Sequence, residues 1–141
     1  MMDAKEYLMQ VKQLTHRIKN LQALAVEYER LASSIPGQCF DRERVDGTRN
    51  LSAPFEKWVY KKIETEEEIK ATELKLLQLK VEVEEAISQI DDVNLRLVLI
   101  YRYLDFYSWG EVAKKIYASI PAVYKYHQQA LDKFKVPAKK L

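Results

Sequence analysis

Residues 108–134 read SWGEVAKKIYASIPAVYKYHQQALDKF, and this stretch decides the fold of the C-terminal part of the chain. Ser108 and Glu111 have the spacing of a capping box, in which a serine hydroxyl and a glutamate carboxylate each accept a backbone N–H at a helix start. The apolar residues that follow recur at helical spacing. The pattern therefore predicts a helix from Trp109 to Ile116.

A second helix is predicted to follow Ser119, a favoured N-cap residue, with Pro121 in its first turn, where a missing N–H is tolerated. Small Ala113 allows the two helices to cross closely. Two short helices joined by a tight turn form a helix-turn-helix, whose second helix usually enters the major groove of DNA. The residues predicted to form its core are Val112, Ala113, Ile116, Val123, Tyr126, Ala130 and Leu131.

The opposite face of this unit is the predicted DNA-binding surface. Lys114 and Lys115 on the first helix are predicted to contact phosphates, because lysines that neutralise phosphates release counterions and so favour binding. In the second helix the predicted contacts are Ser119, Ile120, Pro121, Ala122, Tyr124, Lys125, His127 and Gln128. Additional phosphate contacts are expected from Arg96, Arg102, Lys133, Lys139 and Lys140.

The charge distribution along the chain favours the same assignment. Net charge is only +2, but residues 55–92 carry a net charge of −5 and residues 93–141 a net charge of +6. A strong charge asymmetry between parts of a chain is typical of nucleic-acid contact by the basic part.

Upstream, residues 3–34 and 54–90 predict two long amphipathic helices. Apolar residues in the first recur at alternating spacings of four and three from Tyr7 to Tyr28. The second has the same frame from Trp58 to Ile90, but the frame also passes through Lys62, Thr65 and Thr72, so its apolar seam is weak in the first half and good in the second. Long one-sided helices need a partner, so an antiparallel helical hairpin is the simplest arrangement. The apolar stripes are wider than one partner covers, which predicts self-association, most simply as a dimer.

Residues 35–54 are predicted to form the loop between these helices, because they hold two of the three glycines and two of the four prolines. The acidic residues Asp41, Glu43 and Asp46 lack the spacing of a calcium-binding loop. No metal site is therefore predicted there.

The expected fold class is all-α, in three parts. Residues 1–92 form a helical, coiled-coil-like arm, residues 93–136 form a three-helix domain and residues 137–141 form a basic tail. The first helix of the domain is expected at 93–104, with Asp91-Asp92 offering its N-cap.

Several classes of function lack the residues that they need. The chain has no glycine-rich phosphate loop, and His16 and His127 have no cysteine or carboxylate at metal-ligand spacing. We therefore expect neither an enzyme nor a cofactor. No apolar run approaches the ~20 residues of a membrane helix. With Cys39 as the lone cysteine, the expected location is the cytoplasm of a bacterial host, away from the membrane.

Two resemblances follow from these motifs. Residues 95–134, with RLVLIYRY, SWGEVAKKI and HQQALDKF, resemble region four of bacterial sigma factors, whose helix-turn-helix enters a promoter element. Residues 40–134 resemble the ArpU and RinA-like late transcription regulators of Gram-positive phages and prophages. That second resemblance rests on VDGTRN, on KWVYKKIETEEEI in an acidic helical arm, on RYL and on a Tyr-x-Ser turn. It implies a transcription regulator with double-stranded DNA and host RNA polymerase as partners.

The chain departs from the sigma-like pattern at two places. Sigma region four usually has glycine at the turn, where this chain has Tyr117; a left-handed conformation there costs roughly 1 kcal/mol or more for a residue with a side chain. Its recognition helices usually begin with polar base-reading residues, where this chain has Ile120, Pro121 and Ala122. These three side chains cannot make bidentate hydrogen bonds to bases.

The expected function is DNA-binding regulation of phage or prophage transcription. One alternative is DNA recognition for genome packaging, as in a small terminase subunit. Another is an adaptor that binds RNA polymerase or a sigma factor without specific DNA binding.

Overall fold

The computed structural model describes residues 2–43 and 48–137, with side chains for 2–33 and 56–137. All regular structure in these two ranges is helical, so the fold class is all-α, as predicted. The elements are α1 (Ala4–Glu43), α2 (Thr48–Ser88), α3 (Val93–Leu99), a π-helical turn (Ile100–Leu104), α4 (Trp109–Ile116) and α5 (Ile120–Lys133).

The prediction of a loop over residues 35–54 is wrong for most of that segment. Helix α1 continues to Glu43 and α2 begins at Thr48, while residues 44–47 lie outside the described residues. Proline and glycine lower helix propensity by about 3 and 1 kcal/mol. These costs do not by themselves end a helix that propagates cooperatively on both sides. Of the three acidic residues considered for a metal, Asp46 lies outside the described residues.

Contacts divide the described residues into two units, one of residues 2–15 with 75–137 and the other of residues 16–43 with 48–74. The predicted boundary between Asp92 and Val93 does not coincide with this division, because the first turns of α1 and the last turns of α2 share one core with α3 and α5. The buried members of this core are Tyr7, Leu8, Val11, Val83, Ile87, Ile90, Leu95, Leu99, Tyr103, Ala130 and Phe134.

The second unit brings α1 and α2 side by side. Tyr28 stacks on Trp58 with 5.8 Å between ring centroids, and Thr65 and Thr72 of α2 are buried. Each threonine hydroxyl donates to the carbonyl four residues earlier, at 2.7 and 2.8 Å, so burial leaves neither hydroxyl unpaired. The predicted α2 repeat, which passes through both threonines, therefore marks a covered face of the helix.

The predicted helix at 93–104 changes type within its length. Asp92 Oδ1 caps α3 by accepting from the N–H of Asn94 at 2.9 Å, which confirms the predicted start. From Ile100 the chain forms a π-helical turn, and the N–H of Asp105 donates to the Ile100 carbonyl at 3.0 Å. This turn holds Tyr103 in the core of the first unit, with 4% of its surface exposed.

Among the described residues, none of the helices combines the length and the apolarity that crossing a membrane requires.

Candidate nucleic-acid interface

Helix α4 begins with the predicted capping box. The Glu111 N–H donates to Ser108 Oγ at 3.2 Å, and the Ser108 N–H donates to Glu111 Oε1 at 3.0 Å. The backbone hydrogen bond from Ser108 is the main reason that the pKa of the Glu111 carboxyl is lowered. The predicted bounds, Trp109 to Ile116, are confirmed. Local sequence alone sets this helix start.

The turn between α4 and α5 contains a left-handed residue. Tyr117 has φ 56° and ψ 46°, and its side chain is 96% exposed. The Ala118 N–H then donates to the Ala113 carbonyl at 3.0 Å, which closes the end of α4. Tyrosine therefore occupies the conformation that favours glycine, at a cost of roughly 1–2 kcal/mol, and no packing of its ring offsets that cost.

Helix α5 is capped by Ser119, as predicted. Its Oγ accepts from the Ala122 N–H at 3.3 Å, and Pro121 lies in the first turn. The helix ends at Lys133, and the Phe134 N–H donates to the Ala130 carbonyl at 2.9 Å. Both ends of α5 are thus fixed by short-range interactions.

A small apolar core joins α4 and α5 to α3. Val98, Val112 and Val123 are fully buried, and Ala113 is 6% exposed. Ile116 and Tyr126 are partly buried against this core, as predicted. Ala130 and Leu131, expected in the same core, belong instead to the larger core around Leu8 and Leu99, because they lie two turns after Val123.

The outer side of α5 is largely apolar in its first turns. Ile120 is 43% exposed and Tyr124 is 50% exposed. Pro121, Lys125 and Gln128 are also exposed, whereas Ala122 is half-buried. Lys114 and Lys115 of α4 are exposed as well. The predicted DNA-binding residues therefore remain accessible, with one exception.

The exception is His127, a predicted DNA-contacting residue whose ring is half-buried and has contacts within the fold. Its Nε2 lies 2.6 Å from the Tyr103 hydroxyl oxygen, and its ring lies edge-on to Trp109 with 4.7 Å between centroids. His127 follows Val123 by four residues, so it shares the inner face of α5. Burial, and then the charges of Lys5 and Arg102, lower the pKa of His127 to about 4. The ring is therefore neutral at pH 7.

Sequence reasoning also missed the cluster that His127 joins. The Arg102 guanidinium lies 4.2 Å from the centre of the Trp109 ring, and its Nη1 donates to the Tyr107 carbonyl at 3.0 Å. The Trp109 ring also lies edge-on to Tyr124 at 5.3 Å. Because the π-helical turn, α4 and α5 are separate in sequence, no local pattern shows this cluster.

Two arginines expected at phosphates make contacts within the fold. Arg102 belongs to the cluster around Trp109. Arg96 Nη1 donates to the carbonyls of Ile90 and Asp91, at 2.5 and 3.1 Å, and so fixes the link between α2 and α3. Lys139 and Lys140 lie outside the described residues.

A shallow depression adjoins the exposed start of α5. It lies between α4 and the turn, and its lining includes Gly110, Lys114, Tyr117 and Ile120. A side chain at Gly110 would meet no atom within 4 Å. The space beside Gly110 is thus open at the start of α4.

Within residues 2–43 and 48–137, no three histidine, cysteine, aspartate or glutamate residues group in a way that could hold a metal ion. No family model, no curated protein and no solved structure matches this chain.

Proposed function

We propose that α4, the turn and α5 form a helix-turn-helix that docks α5 in the major groove of double-stranded DNA. In this proposal the protein regulates transcription of phage or prophage genes. The observation that carries it is the exposed first half of α5 on a scaffold fixed by two caps and a buried core. An exposed helix start of this kind is the part of a helix-turn-helix that contacts base edges.

The charge of this region supports the same proposal. Residues 93–141 carry nine basic and three acidic residues. Lys114, Lys115 and Lys125 are exposed, so their ammonium groups are available to phosphates. His127 adds no charge at neutral pH, because its pKa is lowered to about 4. The lysines therefore provide the electrostatic part of DNA binding.

We expect replacement of Lys125 by alanine to weaken DNA binding about three- to tenfold. It should also reduce the slope of log affinity against log salt by about 1, the loss expected for one phosphate contact. Lys70→Ala is the matched control, since Lys70 is exposed on α2 and lies outside the predicted DNA-binding surface. Fluorescence anisotropy with a duplex selected from a random library measures both effects.

Equal affinity of Lys114→Ala, Lys125→Ala and Tyr124→Ala with the parent chain would contradict docking through α5. A failure of selection to enrich any duplex would contradict DNA binding itself. Far-ultraviolet circular dichroism of each variant checks that helix content is unchanged.

The second part of the proposal is an antiparallel hairpin of α1 and α2 that serves for self-association. In the second unit Arg17 pairs with Glu68, and Glu29 with Lys62. The partner numbers fall on α2 as they rise on α1, which supports an antiparallel pairing. Exposed ion pairs of this kind add little stability. Their value here is that they indicate which residues of α1 and α2 lie opposite each other.

Exposed apolar side chains on α2 support self-association. In the first unit Leu77 and Val81 are 59% and 48% exposed, and in the second unit Tyr60 is 64% exposed. Exposed apolar patches on a helix commonly mark interaction surfaces.

We expect light scattering at micromolar concentration to give the mass of a dimer, and Leu77→Glu with Val81→Glu to give that of a monomer. Gln78→Glu is the control, because it adds a charge to the same turn and removes no apolar side chain. A monomeric parent chain would refute self-association under these conditions.

A second candidate function is that of an adaptor for RNA polymerase. The apolar start of α5, with Ile120, Pro121 and Tyr124 exposed, also suits a protein partner. Binding of purified RNA polymerase, together with failure to bind any selected duplex, would favour the adaptor over the DNA-binding regulator.

A further inference from the structure

We propose that the first turn of α5 recognises thymine through its methyl group, so that the preferred DNA site places thymines opposite Ile120 and Pro121. This inference rests on the proposed DNA docking of α5. It assigns specificity to apolar side chains in place of the hydrogen-bonding residues that usually read bases.

The polar groups near the start of α5 are largely engaged within the fold. Ser119 Oγ accepts the capping N–H of Ala122, and the His127 ring is held by Tyr103 and Trp109. Gln128 Nε2 donates to Asp132 Oδ1 at 3.3 Å and lies a further two turns along the helix. The Ser119 hydroxyl proton is therefore the one side-chain hydrogen-bonding group left at the first turn, because Ile120, Pro121 and Ala122 carry none.

The side chains that remain at the first turn are apolar. Ile120 is 43% exposed and Pro121 is also exposed, and the partly exposed ring of Tyr124 follows one turn later. The spacing of Ile120 and Tyr124 places them on the same face of the helix. This face continues into the depression beside Ile120, so the exposed apolar surface is contiguous there.

Thymine is the base whose major-groove edge fits such a surface. It presents a C5-methyl group there, whereas guanine presents only acceptors and cytosine a donor. An isoleucine facing guanine or cytosine would leave these polar groups dehydrated and without a partner, which is unfavourable. Contact with a methyl group instead removes apolar surface from water. Lysines on α4 and α5 supply the sequence-independent affinity that this contact requires.

The test replaces thymine by deoxyuridine in the selected duplex, which removes the methyl group and keeps the hydrogen-bonding groups. For the parent chain we expect affinity to fall about fourfold for each contacted methyl. Deoxyuridine placed only in the flanking sequence should have no effect. Because this change is confined to the DNA, it does not depend on the folding of any variant.

Variants of the protein test whether Ile120 is responsible for the preference for thymine over deoxyuridine. Ile120→Ala should lose the roughly fourfold preference that the Ile120 contact provides and keep only the part that comes from Pro121. Val93→Ala is the matched control, since Val93 is a branched apolar residue of α3 with 56% exposure. It should keep the preference for thymine.

The outcomes separate the inference from the function on which it rests. Failure of the parent chain to bind any duplex would refute DNA docking. Binding with equal affinity for both duplexes would refute methyl recognition and leave DNA docking in place. Full discrimination in Ile120→Ala would overturn the assignment to this residue.

Discussion

Replacement of Leu99 by alanine is expected to lower the free energy of unfolding by about 2–5 kcal/mol. Leu99 is fully buried in the core that joins α1, α2, α3 and α5. The change removes buried methyl groups and leaves a cavity, and both effects destabilise the folded state. This core also supports Ala130 and Leu131 of α5, so the loss should loosen the proposed recognition helix as well.

Urea unfolding followed by circular dichroism measures this change. Leu24→Ala is the matched control, because Leu24 is 41% exposed on α1 and its loss should cost about 0.5 kcal/mol or less. Equal effects of the two substitutions would show that Leu99 is not in a closely packed core.

Acid is expected to destabilise the protein through His127. Its pKa is about 4 in the folded chain against 6.5 for an ordinary histidine. Between these values the unfolded chain binds a proton that the folded chain does not, so the free energy of unfolding falls as pH decreases from 6.5 to 4. Above pH 6.5 both states are neutral, and this contribution no longer varies with pH.

The expected loss from His127 is about 2 kcal/mol, because partial exposure of the ring screens part of the roughly 3 kcal/mol that the full shift would give. Urea unfolding at intervals from pH 7 to pH 4 measures it. His127→Gln should flatten the profile in this range, since glutamine does not titrate but can accept a hydrogen bond from Tyr103. His16→Gln is the control, because His16 is exposed. A His127→Gln profile as steep as that of the parent chain would contradict the burial of His127.

Features that depend on a few neighbouring residues were predictable. The capping box of Ser108 and Glu111, the caps at Asp92 and Ser119 and the bounds of α4 all arise from hydrogen bonds that span two or three residues. The left-handed turn at Tyr117 also matches the position at which the sigma-like pattern has glycine. Such interactions need no distant partner.

Features that depend on distant partners were not predictable. The π-helical turn holds Tyr103 in the core of the first unit, and His127 is half-buried because Tyr103 and Trp109 lie against it. For the same reason the sequence did not show that Arg102, expected at a phosphate, lies against the Trp109 ring. The spacing of apolar residues along the sequence shows which face of a helix is buried, but it does not show which other residues cover that face.

The sequence by itself determined the all-α class, the starts of α3, α4 and α5 and the apolar faces of the helices, because these depend on local hydrogen bonds and on periodicity. Only the tertiary structure decided which polar residues remain free on α5. Packing against Tyr103 engaged the His127 ring, and the cap engaged Ser119 Oγ as an acceptor. What remains exposed at the start of α5 is apolar, and that result of packing is the basis for the proposed recognition of thymine.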